Sequence, residues 1–456
     1  MSGSIDVRRE AWSGSDRPIA RTVARPMVRF LAQESASGVL LVLATAAALL
    51  WRNSPVGDSY VEFWHTVISL EIGSLHIEDD LAHLVNDGLM VLFFFVVGLE
   101  IKTEMVMGDL RNPRDAALPA VAALGGMVVP ALLFLAVNAG GPGADGWGVP
   151  MATDIAFAVG VLALLGDRIP QRLKLFVLTL AIVDDIGAIV VIALFYTSGL
   201  RADWLLVAAG GLALVVALQR ARVWYTPIYV VLGVVVWFAT FESGVHATIA
   251  GVALGLLAPA RPLLGDRRLE FIDEVMSGHS ADPIEARNTK WHVREHVSVT
   301  SRQIALLSPW TSFVIVPVFA LANAGIPLSG QIVGDALGSN ITWGIVAGLV
   351  LGKPIGIVAA TWLAVRFGLS SLPAGVTLRH VLGAGAVAGI GFTVALFISG
   401  LAFEGTGLGD QAIIGVLLAS VFATAAGAAI LGRASAVRPA VDPTPGGITP
   451  VPAGAH

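Results

Sequence analysis

The chain has 456 residues, 55% of them hydrophobic and only 13% charged, with no cysteine and a formal net charge of −5. Soluble globular chains carry about 25% charged residues, so the composition excludes a string of soluble domains and indicates one polytopic membrane domain. The missing cysteines exclude disulfides, thiolate metal sites and cysteine nucleophiles, and the 51 glycines suit close helix packing or broken helices in a bilayer.

Residues 1–30 carry Arg8, Arg9, Arg17, Arg21, Arg25 and Arg29. They are expected to form a cytoplasmic tail, since no short apolar core with a cleavage site is present. The domain predicted to span the membrane is 31–432. Its first apolar run is 36–51. An acidic segment, 52–82, follows, in which Gly73 divides two β-prone runs and suggests a small hairpin outside the membrane. Further spans are predicted at 83–101, 116–137, 150–165, 173–196, 204–218, 225–241 and 245–257. A long hydrophilic loop, 259–307, comes next. The last spans are 310–328, 341–365, 381–401 and 411–431, before a Pro/Gly/Ala-rich tail at 433–456 that is expected to be disordered.

Twelve spans divide the basic residues unevenly. Of 28 Lys and Arg, only Arg52 and Arg201 fall in one set of alternate loops, and Lys353 falls inside a span. The positive-inside rule then puts both termini in the cytoplasm.

Charges inside apolar runs are the functional signal. Asp184 and Asp185 sit side by side near the middle of LKLFVLTLAIVDDIGAIVVIALFY. A charge at that depth costs roughly 2.5–3.5 kcal/mol even on lenient scales and is functional by default. Neighbouring helix positions are about 100° apart, so the two carboxylates can border one cavity without facing each other. Each can hold a proton or a hard cation, because hard cations prefer oxygen ligands. Competition between the two is enough for an exchanger if the site faces one side at a time. The bland alternative is a structural salt bridge between helices.

Asp154, four residues after Pro150 in PMATDIAFAVG, reads either as an ordinary N-cap or, with Thr153, as a cap inside a broken helix. Lys353, in GIVAGLVLGKPIGIVAA, is too deep to reach the interface and needs an anionic partner. Gly383, Gly385, Gly389 and Gly391 weaken the eleventh span at about 1 kcal/mol each. Opposed broken helices in spans four and eleven would mark an inverted-repeat transporter with its site at mid-membrane. Glu100 and Glu104 share a helix face and read either as a solvated end or as charges drawing cations to a mouth. His246 reads as a polar helix start or as a sensor.

The ordered motifs NDGLMVLFFFVVGLEIKTE, ATDIAFAVG, LAIVDDIGAI, SGVHATIAG, FALANAG, LGKPIG and AGIGFTVALFI resemble those of the NhaA-type bacterial Na+/H+ antiporters, from about residue 30 to 431. The resemblance implies an all-α polytopic membrane protein of 12 transmembrane helices, with inverted repeats and two crossed discontinuous helices, spans four and eleven. It implies a secondary active, electrogenic antiporter of the bacterial plasma membrane, exporting Na+ and Li+ for protons in sodium and pH homeostasis. It is not an enzyme and has no cofactor or nucleic-acid partner; lipid and a homodimer through the hairpin are the implied partners. By position, Asp185 matches the principal cation ligand, Asp184 its neighbour, and Lys353 the buried partner of Asp184. Thr153 and Asp154 match the pair at the helix break. Glu100 and Glu104 match acidic residues of the cytoplasmic funnel, linked to pH response, for which His246 is a further candidate.

The chain departs from that pattern at three places. Thr103 stands where a basic residue is usual, SRQIALLSPW lacks the usual Glu and His residues, and the enlarged loop carries His279, His292 and His296. Two other readings make different predictions. A Na+-coupled solute symporter needs an organic-substrate cavity. An intramembrane aspartyl protease is suggested by GLGD at Gly407–Asp410, but adjacent aspartates cannot share a proton face to face as a protease pair does.

Overall fold

The computed structural model describes residues 36–434, apart from 73–74, 198, 224 and 263–296. The tail expected at 1–30, nearly all of that at 433–456, and His279, His292 and His296 lie outside the described residues. The protein is mostly helical. Among the described residues, eight helices are long and apolar enough to cross a membrane, or ten if each of two bent pairs counts as one span.

The first of these pairs is α1 (Ala36–Arg52) and α2 (Gly57–Trp64), which meet at a bend of 113°. An antiparallel ribbon follows, with β1 (Val67–Ile72) paired to β2 (Leu75–Asp80). Asp80 then caps α3 (Leu81–Val106), its carboxylate accepting the His83 N–H at 2.8 Å. Burial alone would raise the Asp80 carboxyl. The His83 N–H and the imidazoles of His65 and His83 outweigh burial and hold it below the usual carboxylate range.

The long helices α4 (Pro113–Asn138), α6 (Gln171–Phe195) and α7 (Ala202–Arg220) are unbroken. Between α4 and α6 a 3-10 turn, Ala144–Met151, leads through an extended stretch at 152–154 into α5 (Ile155–Leu165). Two shorter apolar helices, α8 (Thr226–Glu242) and α9 (Thr248–Leu257), come next. α10 (Val299–Asn323) begins well before the predicted start at 310, because its first turns are polar and only later ones apolar. A short helix, α11 (Gly330–Gly338), fills the connection between the spans predicted at 310–328 and 341–365. α12 (Asn340–Arg366) precedes the second bent pair, α13 (Leu378–Ala388) and α14 (Phe392–Ala402), which meet at 49°. α15 (Gly409–Arg433) closes the described chain.

Side-chain hydrogen bonds tie the elements together at several places. Asn86 on α3 and Asn323 on α10 exchange amide bonds at 3.3 and 2.9 Å. Tyr60 donates toward the Leu321 and Ala322 carbonyls, both at 2.8 Å. Trp237 Nε1 donates to the Asp87 carbonyl at 2.7 Å.

Small residues set a close helix contact between α3 and α9. A Cβ on Gly255 would stand 2.6 Å from the Phe95 carbonyl oxygen and 2.8 Å from the backbone of Gly98 and Leu99. Backbone cannot rotate aside, so Gly255→Ala must push the helices apart. Overpacking of this kind costs about 1–3 kcal/mol. Gly210, with open space around its Cβ direction, should gain up to about 1 kcal/mol of helix propensity from the same change. Thermal unfolding of the purified variants should move in opposite directions.

Candidate functional site

The site lies where α4, α6, α12 and the two interrupted elements meet. Asp184 and Asp185 are on α6, and both are buried, at 1% and 5% exposure. Their angular separation gives them different surroundings. Asp184 Oδ2 is in direct contact with Lys353 Nζ and accepts the Thr153 hydroxyl at 2.6 Å. Asp185 forms no such pair. It borders a cavity of about 550 Å³ together with Glu100, Thr153, Asp154, Ser308 and Thr393. Oδ1 of each aspartate is buried with no hydrogen-bond partner among the described residues.

Lys353 is fully buried. It follows a π-helical turn, Gly348–Gly352, within α12. Pro354 has no N–H, so the ordinary bond back to Val350 cannot form, and a wider turn is tolerated there. Such a turn re-aims the side chains that follow it. Lys353 Nζ also donates to Thr153 Oγ1 at 2.7 Å. The Thr153 hydroxyl has a single proton and two acceptors, Asp184 Oδ2 and the Ala388 carbonyl at 2.9 Å. It therefore joins the ion pair to the C-terminal end of α13.

The two interruptions touch. The Asp154 N–H donates to the Ile390 carbonyl at 2.7 Å. The Asp154 side chain caps α5, accepting the Phe157 N–H at 2.9 Å. Its other oxygen accepts the Thr393 N–H at 3.2 Å and the Thr393 hydroxyl at 2.8 Å. One carboxylate thus serves the N-terminal ends of both α5 and α14, where partial positive charge collects. Gly391 keeps the approach close, since a Cβ there would meet the Ala152 carbonyl at 3.3 Å.

The remaining predicted residues separate. Glu100 lines the same cavity as Asp185. Glu104 turns away, its Oε2 accepting the Asp109 N–H at 3.0 Å beside the turn that ends α3. His246 stands apart from the cavity, with Nε2 2.6 Å from the Tyr196 carbonyl oxygen, so that nitrogen carries the proton. Thr393 and the Ala388 and Ile390 carbonyls belong to the site but were not singled out from the sequence. The one available signal was Thr393 two residues after Gly391, at the start of a helix half. Ser308 is also on the cavity wall, within the segment noted for lacking Glu and His.

A sequence profile of the Na+/H+ antiporter 1 family matches residues 28–431. A protein described as Na(+)/H(+) antiporter NhaA 2 from Myxococcus xanthus (strain DK1622) is 47% identical over 437 residues, covering 93% of this chain and 92% of that one. A Na(+)/H(+) antiporter NhaA from Rhodopirellula baltica is 46% identical, covering 91% and 95%. Another, from Janthinobacterium sp. (strain Marseille), is 44% identical, covering 92% and 95%. Matches of this extent mean that the chain belongs to the Na+/H+ antiporter 1 family.

Proposed function

We propose that this protein is a secondary antiporter that expels Na+, and Li+ with it, against an inward flow of protons. The observation that carries the reading is Asp185. It is a buried carboxylate on a cavity wall without a counter-charge of its own, beside an Asp184–Lys353 pair that can open. A monovalent hard cation reaching the cavity meets the carboxylate of Asp185 and the hydroxyl oxygens of Thr153 and Thr393 on its wall, and opening of the pair would add an Asp184 oxygen. Cation and proton compete for those oxygens.

The same arrangement supports electrogenic exchange. When a cation takes the Asp184 oxygen, Lys353 loses its partner and releases a proton from a site where an unpaired ammonium is costly. Recharging then needs a proton on Lys353 as well as one on Asp185, more than the single positive charge of the cation. Asp154 and Thr153 hold the two interruptions together and set where the cation sits. Glu100 draws cations into the cavity, while Glu104 and His246 act from outside it on the response to pH.

In this reading the bent pairs and short helices complete twelve spans, with 144–165 and 378–402 as the crossed discontinuous helices of an inverted repeat. Both termini are cytoplasmic, the protein sits in the bacterial plasma membrane among lipids, and the ribbon pairs two copies. The deciding measurement is dissipation of a pH gradient in everted vesicles from a strain lacking its own Na+/H+ antiporters. Na+ and Li+ should each dissipate it across a pH series; no response to either at any pH overturns the reading. Dependence of the rate on an imposed membrane potential in proteoliposomes tests electrogenicity separately.

A further inference from the structure

A second cluster of ligand-bearing side chains lies well away from the transport site, at the foot of the ribbon. β2 ends in Asp79–Asp80, and α3 brings His83 round one turn later. His83 Nδ1 is 2.8 Å from Asp80 Oδ1 and 3.5 Å from Asp79 Oδ1. One ligand atom from each of the three lies within 4.8 Å of the others. The ribbon also returns His65, just after α2, to the other oxygen of Asp80 at 2.7 Å.

The spacing suits a metal ion. Around a tetrahedral Zn2+ with bonds of about 2.0–2.2 Å, ligand atoms stand about 3.3–3.6 Å apart. The observed 3.5 Å falls in that range and the 2.8 Å lies below it, so small side-chain movements suffice. Capping of α3 accounts for the bond from Asp80 to the His83 N–H, and Asp79 Oδ1 accepts the Asp80 N–H at 2.9 Å, but neither bond calls for two imidazoles at the same carboxylates. Charge points the same way. Among the described residues neither aspartate pairs with a lysine or arginine, so a dication that displaces the imidazole protons would balance the two carboxylates.

Glu404 supplies an outer partner. Its Oε1 is 4.0 Å from His83 Nε2. A metal on Nδ1 requires the proton on Nε2, and a carboxylate facing that N–H is the arrangement that orients metal-bound imidazoles. Glu404 follows α14, so it reaches this cluster from the end of an interrupted element. Mixed imidazole and carboxylate ligands favour Zn2+, Ni2+ or Cu2+ over hard cations, which prefer oxygen alone. With His83 52% and Asp79 30% exposed at the side chain, the cluster is open to water.

We propose that Asp79, Asp80 and His83, flanked by His65 and oriented by Glu404, form a binding site for a divalent transition-metal ion of the Zn2+ class, separate from the transport site. The test uses the full-length, tag-free protein in detergent, stripped with chelator and titrated with ZnCl2 by calorimetry. CoCl2 serves as a spectroscopic probe of tetrahedral geometry. We expect saturable binding of one Zn2+ per chain and a visible Co2+ band. His83→Gln and Asp79→Asn should each weaken binding about 10–100-fold or more, the range seen when support of a metal site is lost. Replacing His279, His292 and His296 together should leave it unchanged. Asp79 does not cap the helix, so Asp79→Asn carries the test should His83→Gln fail to fold. Binding that survives Asp79→Asn, binding that vanishes with the three loop histidines, or no saturable binding by the wild-type chain overturns the proposal.

Discussion

Asp185→Asn should abolish Na+-dependent proton movement in everted vesicles while the purified protein stays folded. The asparagine keeps the shape of the side chain and removes its charge and its ability to trade a proton. Losing even an outer partner of a bound ion costs about 10–100-fold in affinity, and Asp185 is the proposed ligand of the ion itself, so at least 100-fold weaker apparent Na+ affinity is expected. Stability should hold, because Asp185 makes no ion pair that the change would break, and its buried Oδ1 already lacks a partner. The unfolding midpoint should be unchanged or higher. Wild-type exchange by this variant would remove Asp185 from the mechanism. A variant that is inactive because it is unfolded would instead show that Asp185 has a structural partner.

Much of the frame was visible in composition and hydropathy. The run from Leu173 to Tyr196 is a helix at Gln171–Phe195, and the run from Gln411 to Leu431 is one at Gly409–Arg433. Apolar length is a strong signal because the bilayer imposes it. What hydropathy could not show is how a helix is interrupted. The π-helical turns at Leu84–Leu89, Thr311–Ile315 and Gly348–Gly352 leave no mark in an apolar average. Polar first turns likewise hid the start of α10.

The site followed a similar division. Single charges in apolar runs identify themselves one at a time, since each is costly at depth. Their pairing is a tertiary fact: Asp184 and Lys353 are 169 residues apart, and adjacency in sequence says nothing of which aspartate takes the lysine. Helix geometry permitted one answer for each neighbour and left the choice open. Glu104 illustrates the converse. Its spacing from Glu100 gives a shared face on an ideal helix, but the turn just past Val106 offers the Asp109 N–H, and the side chain takes it. Thr393 was hidden because a threonine among apolar residues is usually an ordinary span residue. Only the contact between the two interruptions makes it a partner of Asp154.

That contact explains why the charges are kept. Asp154 neutralises two helix N-terminal ends at once, and the Asp184–Lys353 pair links to the opposite end of α13 through Thr153. The charged groups therefore balance the broken backbone as well as one another. A cation or proton that alters one of them alters what holds the two interruptions in register. Exchange and conformational change would then share the same few hydrogen bonds.

Lys353→Met should be the most destabilising single change in the site, and restoring balance should recover the loss. Methionine fills much of the lysine stem's volume but leaves the Asp184 carboxylate buried without its counter-ion. Breaking a buried pair from one side costs about 3–5 kcal/mol, whereas replacing both partners with neutral groups is often close to neutral. Asp184→Asn alone should cost a similar amount, because it strands the ammonium of Lys353. The double variant Asp184→Asn/Lys353→Met should be more stable than either single one, with an interaction energy of several kcal/mol in a double-mutant cycle. Thermal unfolding of the four proteins in detergent gives the result directly. Additive losses would mean that the pair is not the counter-ion arrangement seen here. Transport separates stability from function: the stable double variant should still fail to move protons in response to Na+, because neither group remains to give up or take a proton. Asp185→Asn should show no such recovery with Lys353→Met, since Asp185 faces the cavity and not the lysine.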